Sequence, residues 1–180
     1  MATRVMDLTR GRSRVGVDVV ASPAVELLMS LTKFGMEESR ETFEDGETWF
    51  DEVRTKASAS LLDAYRALSG RTGLGWGCLV GIPLGLAPQW AGHQSASEFI
   101  GHVEAVPPRD LWLIMAGYHL PPMRDEIGRD AYLRAADGDP AARHSILQAE
   151  RKWGDELDGD PPILSMSPDE AKEGVITVLR

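Results

Sequence analysis

Four histidines, one cysteine and five tryptophans are the side chains of this 180-residue sequence best suited to chemistry, and their spacing limits what they can do. His93, His102, His119 and His144 fall on different predicted elements. No pair stands at i and i+4, the spacing that would present two imidazoles to one metal ion from a single helix face. Cys78 lies alone in the apolar run Gly77, Cys78, Leu79, Val80, where a thiol behaves as a small core hydrophobe and cannot close a disulfide within the chain. Glu37, Glu38, Glu41, Glu44 and Asp45 are crowded but lack the ligand spacing of a metal-binding loop, so they read as a solvated acidic stretch. The chain has no Gly-x-Ser-x-Gly elbow, no His-Glu-x-x-His, no Cys-x-x-Cys and no Gly-Lys-Ser/Thr phosphate loop. The usual ways of activating a nucleophile or a metal-bound water are therefore missing, and the sequence reads as a non-enzyme with no metal and no cofactor.

The aromatic residues are more suggestive. Trp76, Trp90, Trp112 and Tyr118 group with His93 in and around a long uncharged stretch. Apolar walls with a few polar handles are how small ligands are held, so these five are the candidate ligand-binding residues for a small apolar or aromatic effector. The competing reading is core packing, the usual fate of tryptophan at helical spacing. An enzyme reading would take His93 or Glu98 as its base, on their proximity in sequence.

The elements that must position these residues are helices. Ser22 and Pro23 form an N-cap and first-position pair, and Ala24, Leu27, Leu28, Leu31 and Phe34 follow at helical spacing to Gly35. Trp49, Phe50, Val53 and Ala57 make a second stripe. Leu61, Leu62, Tyr65 and Leu68 continue it to Gly70, as one bent helix or two. Phe99 to Val106 forms a stripe ended by Pro107 and Pro108; Leu111, Trp112 and Met115 begin another, closed by Pro121 and Pro122. Ile127 and Ala131 mark a weak helix, and Asp139 with Pro140 caps a stronger one carrying Ala142, Ile146, Ala149 and Trp153 on one face. Ahead of all these, Val15, Val17 and Val19 alternate with Gly16 and Asp18 and predict a short strand.

Between Arg71 and Glu98 no residue carries a formal charge, and Gly73, Gly77, Gly81 and Gly85 recur at every fourth position. On one helix they would share a face and allow close backbone approach, as in a tightly packed central helix. Pro83 and Pro88 argue against a membrane span, and a dinucleotide loop lacks its final glycine.

The predicted fold is mostly α: a compact multi-helix domain with one short N-terminal strand and a final helix leading out of it. Residues 1–14 read as a flexible basic arm, 15–153 as the helical core, 154–166 as a linker rich in proline and aspartate, and 167–180 as the start of a connecting helix. Ser167, Pro168 and Glu170 form the capping box of that helix, which reaches Arg180 without a stop signal and reads as cut short. Its apolar stripe, Ala171, Val175, Val178 and Leu179, is unpaired on this reading and is the candidate interface of a homodimer.

A hydrophobic fraction of 43% and a charged fraction of 26% are globular averages. A formal net charge of -9 disfavours nucleic-acid phosphates and anionic lipid as direct partners. Met1 to Arg14 lacks the apolar centre of a secretory signal, and the lone cysteine suits a reducing compartment; together these predict a cytoplasmic protein.

The order of features resembles the N-terminal domain, of unknown chemistry, of a group of bacterial ArsR-like winged-helix transcriptional regulators. The resemblance rests on Ser22-Pro23-Ala24-Val25-Glu26-Leu27-Leu28-Met29-Ser30-Leu31 after the predicted strand, on Trp76 to Leu86 leading to Pro88-Gln89-Trp90, and on Phe99-Ile100 through Ala105-Val106-Pro107-Pro108. It covers most of residues 15 to 120, departing where Pro88-Gln89-Trp90-Ala91 replaces a Pro-Asp-Phe-Leu-like run. It implies a regulatory module, sensing an effector or mediating dimerisation, with the DNA-binding part lying C-terminal to it. It carries over no functional residues.

Overall fold

Helix starts in this chain are written in short polar and proline signals, and the computed structural model places them accordingly. It describes residues 22–35, 46–69, 74–80, 82, 95–153 and 162–180. In these, regular structure is helical: α1 (Pro23–Gly35), α2 (Gly46–Lys56), α3 (Ala59–Ser69), α4 (Leu74–Leu79), α5 (Ala96–Ala105), α6 (Pro108–Met115), α7 (Pro121–Ile127), α8 (Arg129–Ala136), α9 (Pro140–Trp153) and α10 (Pro168–Leu179), with a 3-10 turn at Pro162–Ser165. The strand expected at Val15, Val17 and Val19 and the basic arm before it lie outside the described residues.

The caps explain the boundaries. Ser95 and Ser167 each accept from the backbone N–H three residues on, while Glu98 and Glu170 accept from the backbone N–H of Ser95 and Ser167 in return. Two orphan donors are thereby satisfied at each helix start. The carboxyl of Glu170 is held below its ordinary range by these hydrogen bonds from Ser167. Ser58 Oγ accepts from Leu61 N at 3.1 Å and starts α3 afresh, so the continuous stripe from Trp49 to Leu68 is two helices. After α6 and α8 the chain turns at Gly117 (φ 81°) and Gly138 (φ 94°), and the flanking amides return to the last carbonyls of each helix. Only glycine adopts that left-handed conformation without strain.

The core is centred on α6. Leu111, Trp112, Leu113, Ile114 and Met115 are all buried, the pattern of a helix surrounded on every side. It packs against α4, α8 and α10. The glycine-rich segment does not supply that central helix. Within it α4 ends at Leu79, and Gly73, Gly81 and Gly85 lie outside the described residues. A Cβ on Gly77 would meet only Thr32, at an ordinary 3.8 Å. The close approaches are at Gly75, where a Cβ would stand 3.3 Å from Met115 Cε, and at Gly174 in α10, 3.2 Å from Leu68 Cδ1 on α3.

The last helix, expected to lead out of the domain with its apolar stripe unpaired, instead has that stripe packed against the domain. α10 lies along α3 and α6, with Ala171 and Val175 fully buried and Leu179 6% exposed. Lys172 Nζ donates to the carbonyls of Glu104 and Val106, both at 2.7 Å, and Arg180 pairs with Glu104, tying α10 to the C-terminal end of α5. There a cation also meets the negative end of the helix dipole. The expected linker 154–166 is likewise part of the core at its far end: Ile163 and Leu164 are buried, and Trp112 Nε1 donates to Ile163 O at 2.9 Å. Because α10 meets α3 so closely, Gly174→Leu is expected to cost about 1–3 kcal/mol through overpacking. Equilibrium denaturation reads this directly, and an unchanged midpoint would mean that α10 stands further from α3.

Candidate functional site

A groove of about 180 Å³ opens where α1, α2 and α3 meet the last turn of α10. Helix α1 contributes Leu27, Leu31 and Phe34 to it, α2 contributes Trp49 and Val53, α3 contributes Leu61, Leu62 and Tyr65, and α10 contributes Val178. Each stripe follows from 3.6-residue periodicity: 27, 31 and 34 fall on one side of α1, as 61, 62 and 65 do on α3. Apart from buried Tyr65, these side chains are half-buried, as the walls of a depression open on one side must be.

An aromatic network stiffens the wall. Phe34 stands edge-on to Tyr65 with centroids 5.3 Å apart and edge-on to Trp49 at 6.1 Å, and stacks on Phe50 at 6.2 Å. Tyr65 in turn stacks on Trp76, with centroids 6.0 Å apart and ring planes nearly parallel. Such offset and T-shaped pairs fix ring orientation beyond what area burial alone would do. The polar atoms behind the rings are satisfied: Tyr65 Oη donates to Leu31 O at 2.6 Å, Ser69 Oγ donates to Tyr65 O at 2.7 Å, and Trp76 Nε1 donates to Ser69 Oγ. The inner face of the wall is mostly carbon.

The residues singled out from sequence are placed differently. Trp76 is fully buried behind Tyr65, and Trp112 is fully buried beneath the 3-10 turn with the Arg143 guanidinium 5.5 Å from its ring centroid. Both indole N–H groups are committed within the core. Tyr118 lies apart, edge-on to Tyr132 at 5.7 Å, beside a second depression of about 380 Å³ bordered by Arg124, Asp125, Gly128 and Arg129. Trp90 and His93 lie outside the described residues. Glu98, named with His93 for the enzyme reading, is occupied in the α5 capping box. Sequence reasoning missed Phe34, Trp49 and Tyr65 because they sit on three elements. The signal available was their shared helical phase with Leu31, Val53 and Leu61, which marks a buried face without naming its partner.

The expected interface stripe is also accounted for. Ala171, Val175 and Leu179 face the domain's own core, and Val178 borders the groove. The unpaired face that motivated a homodimer through α10 is covered within the chain.

No three His, Cys, Asp or Glu side chains among the described residues come together as a metal site. No helix among them is long and apolar enough to cross a membrane. His119, edge-on to Tyr118 at 5.2 Å, has its pKa lowered from 6.5, first by burial and then by the Arg124 guanidinium. The folded value is the lower one, so as pH falls the unfolded chain takes up this proton first. The contribution is present above 6.5 and is lost as pH falls through the folded value. An NMR titration should show His119 ionising below the ordinary histidine range, and Arg124→Gln should move it upward. An upward-shifted wild-type value would contradict the geometry.

Comparison with known proteins finds no matching family model, no similar curated protein and no similar solved structure.

Proposed function

We propose that this chain is a non-enzymatic regulatory domain that binds a small apolar or aromatic effector in the α1–α2–α3 groove and reports its occupancy through α10. The observation that carries the reading is the composition of the groove. Three walls are aromatic and aliphatic, and the fourth is Val178 of the same helix whose opposite face is packed into the core. A ligand lying against Val178 would change the free energy of docking α10, which is the differential interaction that a switch requires. The ArsR-like resemblance supports the same role, with the winged-helix part it implies reading DNA and α10 as the path by which occupancy reaches it. Homodimerisation through Ala171, Val175 and Leu179 forms no part of the proposal, since those side chains are spent on docking α10.

Size is consistent with a modest ligand. A dry cavity of about 150 Å³ is enough to hold benzene, whereas drug-sized ligands need roughly 300 Å³ or more. Toluene is therefore a fitting first probe, with hydrogen exchange as the readout. Bound toluene should raise the protection of α10 amides, and Leu31→Trp, which fills the groove, should abolish the effect. Binding without any change in α10 would remove the reporting role, and no binding would remove the effector site.

A further inference from the structure

We infer that the effector is a neutral single-ring molecule bearing one hydroxyl group, and that this hydroxyl pairs with Ser30 on the α1 wall of the groove. The inference rests on the groove being the effector site and deepens that reading by naming the ligand's chemical class and the residue that selects it.

Among the described residues that border the groove, none carries a formal charge. An ionised ligand group buried there would give up its water and gain no counter-charge, which costs far more than burying a neutral group. Carboxylates and ammonium groups are disfavoured for that reason. The volume of about 180 Å³ holds one ring, since a dry cavity of about 150 Å³ accepts benzene.

Three side chains bring polar atoms to this apolar surface: Ser30, Trp49 and Tyr65. The Tyr65 hydroxyl gives its proton to Leu31 O at 2.6 Å, and the Trp49 indole N–H is a donor only. Ser30 is different, because its hydroxyl both donates and accepts. It follows Leu27 by three residues and precedes Phe34 by four, so it shares the groove-facing side of α1 with both. Hydroxyls on helices are commonly spent on the carbonyl one turn back. Here Thr32, Thr55, Ser69 and Ser145 all donate to that carbonyl, at 2.7–3.0 Å. The half-buried Ser30 makes no hydrogen bond to any described residue. A ligand hydroxyl beside it finds a partner of matching capacity, whereas a plain hydrocarbon covers Ser30 and leaves its hydroxyl unmatched.

Isothermal titration of the 180-residue chain with toluene, para-cresol and para-toluate tests the assignment. The three share a methylated ring and differ only in the group opposite the methyl: hydrogen, hydroxyl or carboxylate. Para-cresol should bind about threefold or more tighter than toluene, as one neutral hydrogen bond allows, and para-toluate weakest. Ser30→Ala should bring para-cresol down to the level of toluene and leave toluene at least as tightly bound as before. Leu62→Trp, which fills the groove, should abolish binding of both. Toluene binding as tightly as para-cresol, para-toluate binding tightest, or a preference for para-cresol that survives Ser30→Ala overturns the hydroxyl assignment while leaving the effector groove in place. No binding by any of the three, or binding indifferent to Leu62→Trp, overturns the groove reading with it.

Discussion

Replacing Trp112 by alanine is expected to cost about 3–5 kcal/mol, the range for truncating a large aromatic side chain in a core. A domain of this kind has roughly 5–15 kcal/mol in total, so the variant should sit near the edge of folding at 25 °C. The effect has three sources in one residue. The indole is fully buried and leaves a large void when removed. Its N–H donates to Ile163 O at 2.9 Å, so its loss orphans the carbonyl that anchors the 3-10 turn before α10. The Arg143 guanidinium, 5.5 Å from the ring centroid, also donates to Ala135 O at 2.9 Å and Leu164 O at 3.1 Å, so the cation that ties α9 to both neighbours loses its aromatic floor. Urea denaturation gives the magnitude. Hydrogen exchange should show the amides of Ile163, Leu164 and Ser165 opening before those of α3. Trp112→Phe separates the terms, because it keeps most of the apolar volume and forfeits the hydrogen bond, and it should cost about 1–3 kcal/mol. A loss under 1 kcal/mol for Trp112→Ala would mean that α6 is not the centre of the core.

The second large effect is expected from ending the chain after Met166. Without α10 the fold loses the burial of Ala171, Val175 and Leu179 and exposes Leu68 on α3 together with one side of α6. At about 1.5–3 kcal/mol for each fully buried valine or leucine, the loss is several kcal/mol, comparable to the whole stability. The shortened chain should be unfolded or aggregated when examined by circular dichroism and sedimentation. An α10 that served only as a connector or dimer interface predicts the opposite, a well-folded monomer. Val175→Asp in the 180-residue chain is the companion measurement, since a carboxylate at a fully buried position should undock the helix without removing it.

Several helix starts were legible in the sequence because they are local chemistry. Ser22 with Pro23, Asp139 with Pro140, and Ser167 with Glu170 mark starts that the structure keeps at Pro23, Pro140 and Pro168, since a cap needs only the next few backbone amides. The mostly helical class followed from the same signals together with the apolar stripes. The site was not legible to the same degree. A stripe states that one face of a helix is buried and is silent on what buries it. Ala171, Val175 and Leu179 therefore read equally well as a face awaiting a second molecule, and tertiary structure assigned them to α3 and α6. Tryptophans close in sequence suggested a pocket at Trp76 and Trp112, but helix phase turned both into the core and left Phe34, Trp49 and Tyr65, brought together from three helices, to wall the groove. Ile163 and Leu164 were hidden for a related reason, being a short apolar run with no period inside a segment of linker composition. Sequence determined where the helices with a clear polar or proline cap begin and which of their faces are apolar, because backbone capping and side-chain periodicity act over a few residues. The pairing of faces was decided only in three dimensions, because it depends on shape and volume shared among residues far apart in the chain.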